Sequence, residues 1–364
     1  MGAMNELIDI SAVARLRARL GVVATSAFPA LAGISAAQLA PLALRERSDL
    51  VTVALLADLP DGYTAPAAII RSALADPSFE GWGIWPVTEA VATLAIASPG
   101  AADFDDGLAL LAELTPRLTA EFAIRRFLAA DLDRALPTIL GWTTAPDPHV
   151  RRLASEGTRP FLPWAVRVAA VTARPDAAVP ILDALRRDDS DYVRRSVANH
   201  LNDLARQNAG LVVDIAERWL GDADERSAWV VRHGLRTLVK RGDPGALALL
   251  GFTPTAVTVS PLELDATAVE LPGSLGFSFA VTNESADVAR IAVDYAVHYL
   301  KSNGTTSDKV FKLASATIAP GETVRFAKRH TFRQMTTRVH HAGLHMIEAQ
   351  VNGARSGAAA FVLG

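Results

Sequence analysis

The chain has 364 residues, half of them apolar, a formal net charge of −3 and a mean hydropathy of +0.21. That length suggests two or three domains with ample material for cores. The lack of cysteine excludes disulfides, cysteine zinc sites and thiolate catalysis, and fits a reducing compartment, so a cytoplasmic location is expected. The charge is uneven: residues 1–148 sum to −7, residues 149–241 to +4 and residues 242–364 to zero. A basic middle is expected to face a polyanion.

Arg15, Arg17 and Arg19 before Leu20–Ala24 mimic a signal peptide, but Glu6, Asp9 and Pro29 argue against one. No transmembrane helix and no membrane partner are expected. Residues 5–252 read as successive helices, with periodic apolar segments at about 8–20, 35–58, 64–75, 86–98, 103–115, 118–129, 131–142, 147–156, 163–173, 176–187, 190–206, 210–219, 225–241 and 244–250. Short Asp/Pro/Gly links separate them, such as Ala145-Pro146-Asp147-Pro148 and Arg187-Asp188-Asp189-Ser190-Asp191. Asp and Ser there suit N-caps, Pro suits a first helical position, and links this short imply antiparallel pairs.

The period changes at Gly251-Phe252-Thr253-Pro254. Two-residue alternation follows at 256–264, 276–282, 289–300, 310–313, 323–332, 341–351 and 358–363. About seven short strands in such a length are the signature of an immunoglobulin-like β-sandwich. The tryptophan and disulfide of antibody domains are missing, since all six tryptophans lie before residue 230. The expected architecture is multidomain, α then β: an all-α HEAT-like repeat solenoid over 5–252, then an immunoglobulin-like β-sandwich over 255–364.

Three helical stretches can be laid on one another, starting at Val150, Val193 and Val231, 43 and 38 residues apart. That period belongs to two-helix HEAT-type repeats. Val193, Val197, Leu201 and Leu204 share one side of their helix, while Arg195, Asn199 and Asp203 run down the far side. Arg152 and Glu156 hold the same places one repeat earlier, and His233, Thr237 and Arg241 one repeat later. Stacking would set these rows side by side as a polar strip.

Gly-rich phosphate loops and zinc or serine hydrolase motifs are absent. His341 and His345 share a strand face, but a spacing of four there separates them by about 13 Å, so no metal site is expected. The chemistry left is that of carboxylates. Glu121 is either the ordinary i, i+4 partner of Arg125 or a catalytic group. Glu156 ends the row headed by Arg152, and Asp203 follows Asn199 by one turn.

The run His149-Val150-Arg151-Arg152-Leu153-Ala154-Ser155-Glu156-Gly157-Thr158-Arg159-Pro160, with Leu162-Pro163-Trp164, resembles the signature of AlkC-type DNA alkylation-repair glycosylases. These are relatives of the AlkD-type enzymes built from HEAT-like repeats. Trp85–Glu89, Thr119–Arg125 and Asp191–Asp203 resemble further segments of that family, and the sandwich matches its form with an appended immunoglobulin-like domain. The resemblance spans roughly residues 5–250. It implies an enzyme that cuts the N-glycosidic bond of cationic N-alkylated bases in double-stranded DNA without extruding the lesion. The AlkC branch is associated with N3-methylcytosine and N1-methyladenine, the AlkD branch with N3- and N7-alkylpurines.

By position, the family's catalytic carboxylates fall on Glu121, Glu156 and Asp203. Lesion contacts would come from Trp164, Arg152 and Asn199, although the AlkD branch places an aromatic residue at Asn199. Trp164 reads either as a core tryptophan between repeats or as a cation–π partner of the lesion. Arg151, Arg159, Arg194, Arg195, Arg232, Lys240 and Arg241 would grip phosphates. In the sandwich, residues 325–341 are basic and free of acid. Lys328, Arg329, Arg333 and Arg338 there form either a solvated face or a second contact to the DNA backbone. No cofactor and no metal are expected, and a monomer is. The rival function is a non-catalytic HEAT-repeat adaptor that binds peptide or nucleic acid.

Overall fold

In a computed structural model of the chain, residues 4–24, 27–222, 224–252, 256–334 and 339–364 are described below. Among them seventeen α-helices precede nine β-strands, as the switch of period at Gly251 requires. The arginine-rich N-terminal stretch forms the helix Ile10–Val23, capped by Asp9 and burying Leu16 and Leu20. The expected helix over 35–58 is instead Ala36–Leu39 and Leu44–Asp58. Pro41 between them cannot donate to a helical ladder.

Two further departures matter for the site. Of the helix expected over 163–173, only Ala169–Ala173 forms. Trp164 has φ +62°, a left-handed conformation that a helix cannot contain. The helix expected over 225–241 breaks at Leu235 into Glu225–Gly234 and Arg236–Arg241, so the third polar row does not lie on one helix.

The chain divides into two compact units. The first comprises residues 1–208 and 224–230, the second residues 209–223 and 231–364. The sandwich therefore shares its unit with the last helices of the sequence. In the first unit the helices stack as neighbouring pairs around buried Leu, Ala, Val and Phe side chains. The loops between its repeats are tied by arginine. Arg151 holds Asp188 with Nε at 2.6 Å and Nη2 at 3.0 Å, and its Nη1 donates to the carbonyls of Ala145 and Pro146. Arg226 pairs with Asp189 across the next gap, and Arg187 with Asp224.

In the second unit the strands are β1 (Val257–Val259), β2 (Glu263–Leu264), β3 (Ala268–Val269), β4 (Gly273–Asn283), β5 (Ala289–Leu300), β6 (Thr306–Ile318), β7 (Thr323–Phe332), β8 (Gly343–Val351) and β9 (Ala354–Leu363). One sheet has β4 between β7 and the short β1 and β2. The other runs β3-β9-β8-β5-β6. Their facing sides bury Phe277, Phe279, Val293, Val297, Phe332, Ile347 and Phe361. In place of a tryptophan and disulfide, His330 is buried between two tyrosines, with Nδ1 2.9 Å from Tyr295 Oη and Nε2 3.0 Å from Tyr299 Oη. Both ring nitrogens are satisfied, so the imidazole sits in the core at little cost.

Gly107 lies inside the helix Ala101–Leu114, where an added Cβ would stand 2.5 Å from Ala95 Cβ and 2.9 Å from Phe127 Cζ. Gly107→Ala is expected to lower stability by up to about 2 kcal/mol, because an overpacking cost of about 1–3 kcal/mol outweighs the gain of roughly 1 kcal/mol in helix propensity. Urea unfolding followed by circular dichroism checks this. An unchanged midpoint would mean that these helices part freely.

Candidate active site

The helix Pro148–Gly157 begins with Asp147 accepting the His149 N–H and Pro148 at its first position. Its last residue is Gly157, where a Cβ would come within 2.6 Å of Ile124 Cγ2, so only glycine fits the close approach. Its neighbour in the stack is Asp191–Leu204, and the expected alignment of the two polar rows holds. The rows are not a solvated strip, however. Arg195 is exposed and Asn199 half-buried, but Asp203 and Glu156 are only 2% and 6% exposed.

Arg159 bridges these two carboxylates. Its Nη1 donates to Glu156 Oε1 at 2.6 Å and its Nε to Asp203 Oδ2 at 2.9 Å. Ser196 Oγ donates to Glu156 Oε2 at 2.6 Å. Arg152 Nη2 lies 3.5 Å from Glu156 Oε1, and its Nη1 donates to Glu121 Oε2 at 2.8 Å. The guanidinium of Arg152 also stacks 4.8 Å from the centre of the Tyr192 ring. Arginine thus links all three expected carboxylates into one group. Asp203 Oδ1 and Glu121 Oε1 accept no hydrogen bond among the described residues.

Burial opposes the charge on Arg159, but Glu156 and Asp203 outweigh it and hold its pKa above the ordinary value. Arg152 behaves alike, through Glu156 and Glu121. Burial raises the pKa of Asp203, against the opposing pull of Arg159.

Arg125 is not the partner of Glu121. It is 3% exposed, and its Nε donates to Val166 O at 2.6 Å, its Nη1 to Arg159 O at 2.7 Å and Gly157 O at 3.2 Å. It clamps both flanks of the loop that follows Glu156. That loop displays Trp164, which is 60% exposed and so is not a core tryptophan. Arg45 donates to Trp164 O at 3.1 Å while lying over the Trp85 and Phe122 rings. Ser196, Tyr192 and Arg45 are not singled out by the sequence, and Arg125 is given the wrong partner by helical spacing. Only Tyr192 had a local signal, an aromatic residue inside the Asp191–Asp203 segment.

The expected phosphate contacts divide. Arg151 spends four of its N–H groups on Asp188 and two carbonyls, and Arg194 is held by the carbonyls of Asp188 and Asp189 and by Asp191. Arg159 is occupied by carboxylates. These three fasten the repeats or the site. Arg195 is exposed with one tie to Asp191 at 2.8 Å, and Arg232 and Arg241 are exposed. Lys240 is half-buried, its Nζ 3.4 Å from Val310 O. In the sandwich, Lys328 and Arg329 are consecutive on β7 and point to opposite faces of the sheet. Arg329 pairs with Asp265 at 2.5 Å, and Arg325 with Glu263. Arg333 is exposed, and Arg338 lies outside the described residues.

Residues 258–364 match the family described as "Uncharacterised protein YhaZ, C-terminal Ig-like domain". The chain is 34% identical over 315 residues to the protein YhaZ of Bacillus subtilis (strain 168), covering 86% of this chain and 85% of YhaZ. The structure of the Pseudomonas fluorescens alkylpurine DNA glycosylase AlkC, bound to DNA containing an abasic-site analogue, is similar over 100% of both chains, with 33% identity and a TM-score of 0.88. The chain belongs to the family of AlkC and YhaZ. The family likeness read from residues 149–164 therefore extends to the whole chain, Ig-like domain included.

One buried base beside the site gives a test of the packing. His200 Nδ1 lies 3.0 Å from Ser155 O, and complete burial brings its pKa from 6.5 down to about 3. The unfolded chain takes up this proton between those values and the folded chain does not. The contribution of His200 is therefore fully present above about pH 6.5 and is lost as pH falls towards 3. From pH 7 to pH 5 the wild type should lose about 2 kcal/mol more than His200→Leu does. Parallel urea titrations at the two pH values read that difference, and equal losses would show that His200 charges without unfolding the site.

Proposed function

We propose that this protein is a DNA glycosylase that removes cationic N-alkylated bases from duplex DNA. The observation that carries the reading is the arginine-linked trio of Glu121, Glu156 and Asp203, in a chain similar over its whole length to an alkylpurine DNA glycosylase. The name of that relative puts alkylated purines first among substrates, N3- and N7-alkylpurines and N1-methyladenine included. N3-methylcytosine carries the same positive charge and belongs to the same chemical class.

Such a base needs no protonation to leave. The N-glycosidic bond breaks with both electrons going to the base, which departs neutral, and positive charge appears on the sugar. Carboxylates beside the sugar stabilise that charge, and a water adds at the anomeric carbon while a base takes its proton. Glu156 has both oxygens engaged and suits the electrostatic role. Asp203 has an uncommitted oxygen and a raised pKa, which suits a base for the water. Glu121 lends its charge to the same site.

Trp164 is held out on the clamped loop and offers a π face to a cationic lesion that stays in the stack, an attraction of roughly 0.5–2 kcal/mol. Arg152 and Asn199 border the same group. Arg195, Arg232, Arg241, Lys328, Arg329 and Arg333 are exposed cations for the DNA backbone. A lone polypeptide acting without cofactor or metal in the cytoplasm completes the reading.

Glu156→Gln and Asp203→Asn should each slow single-turnover base release by roughly 10²–10⁴-fold while duplex binding stays near wild type. Trp164→Ala should weaken lesion-containing duplex about 2- to 30-fold and leave undamaged duplex unaffected. Excision of N3-methyladenine or N1-methyladenine is followed by chromatography of the free base, and binding by fluorescence anisotropy. Wild-type excision rates in both carboxylate variants would remove these groups from the chemistry.

A further inference from the structure

Within the second unit, the helix Arg236–Arg241 and the turn at Leu250–Phe252 cover part of the outer face of β5 and β6. Leu247, Phe252 and Ala292 form a small apolar cluster there, and Gln350 Nε2 donates to Lys240 O at 2.8 Å. The alternation of β5 puts Ile291, Val293 and Tyr295 in the sandwich core and leaves Arg290, Ala292 and Asp294 on the other face. Beside the apolar cluster is a cavity of about 210 Å³.

Its walls carry Arg232, Arg236, Lys240, Arg290 and Lys312, and among the described residues Asp294 is the only acid there. Arg290 lies over the Phe252 ring at 5.3 Å. Arg232, Lys240, Arg290 and Lys312 form no ion pair with a carboxylate among the described residues. Asp294 is 4% exposed, and burial pushes its pKa up to about 6 against the pull of Lys240 and Lys312. It can offset at most one of the four positive charges of Arg232, Lys240, Arg290 and Lys312. Like charges collected on low-dielectric walls raise the local potential and draw in an anion. A monoanion would leave most of that charge unbalanced, whereas guanidinium forks match the oxygens of a phosphate two at a time. The cavity has room for a phosphate group with part of an organic body against Phe252 and Ala292.

We propose that this cavity is a binding site for a phosphoryl group, carried either by a free phosphomonoester or by a DNA backbone. Binding there requires nothing of the carboxylate chemistry proposed above. The test uses the full chain, with inorganic phosphate and AMP as probes in isothermal titration calorimetry. Wild type should bind both in the millimolar range or tighter. Arg290→Met combined with Lys312→Met should weaken AMP about a hundredfold, and the rim variant Arg232→Gln about tenfold. If the double variant unfolds, as circular dichroism would reveal, Arg232→Gln decides alone.

Undamaged duplex separates the two sources. AMP that still binds to protein saturated with duplex identifies a free phosphomonoester. AMP displaced by duplex, with duplex binding weakened by the same variants, identifies a backbone phosphate. Two results would overturn the site: AMP binding that the variants leave unchanged, or no binding of phosphate or AMP together with unchanged duplex affinity.

Discussion

Arg159 sets the conditions under which two carboxylates from different helices can be buried together. Glu156 and Asp203 would repel each other and lose hydration if they stood there alone. The guanidinium between them removes both penalties, and Arg152 extends the same neutralisation to Glu121. A buried ion network of this kind is seldom worth more to stability than an apolar core of the same volume, yet breaking it by removing one member typically costs ~3–5 kcal/mol. Its value lies in holding negative charge at fixed places in a site of low polarity. In the reaction proposed above, an emerging sugar cation would be stabilised there more strongly than in water.

The loop after Glu156 follows from that network. Arg159 is anchored at its side chain by carboxylates and at its carbonyl by Arg125, which also holds Gly157 O and Val166 O. With both ends fixed, the loop can keep Trp164 in a left-handed backbone conformation with its ring in solvent. Such strain persists only where the surroundings over-determine it. Arg45 adds a further hold on Trp164 from the Trp85–Phe122 stack, next to Glu121. The Arg152–Tyr192 stack and the Ser196–Glu156 hydrogen bond fasten the group to the next helix. The loop joins repeats in the stack and at the same time presents an aromatic residue to solvent.

Much of the architecture is legible in the sequence because it rests on local periods. The change from helix to strand at Gly251 and the parallel rows of Arg152–Glu156 and Asn199–Asp203 are of this kind. Other features depend on contacts between residues far apart in the chain. Arg125 sits one turn from Glu121, so helical spacing pairs them, while the actual partners are carbonyls more than thirty residues away. Asp203 belongs to a polar row, and only the reach of Arg159 across 44 positions explains its burial. Helical propensity over 163–173 gave no sign of the positive φ at Trp164. The basic run on β7 looked like one patch, but strand alternation divides it between two faces, and Asp265 and Glu263 from β2 and its flank neutralise part of it. The arginines that begin the repeats resemble phosphate ligands in composition, yet Arg151 and Arg194 serve the loops between repeats.

In the proposed reading the arginine-linked carboxylates form a centre for cutting glycosidic bonds and are not merely a tie between repeats. Mass spectrometry of the bases freed from methylated duplex DNA tests it most directly, with wild type and Arg159→Leu compared at equal duplex occupancy. Free methylpurines from the wild type, with abasic strand left behind and release lost in the variant, are expected. Duplex that is bound by the wild type without release of any base would contradict the claim and leave a nucleic-acid-binding repeat protein.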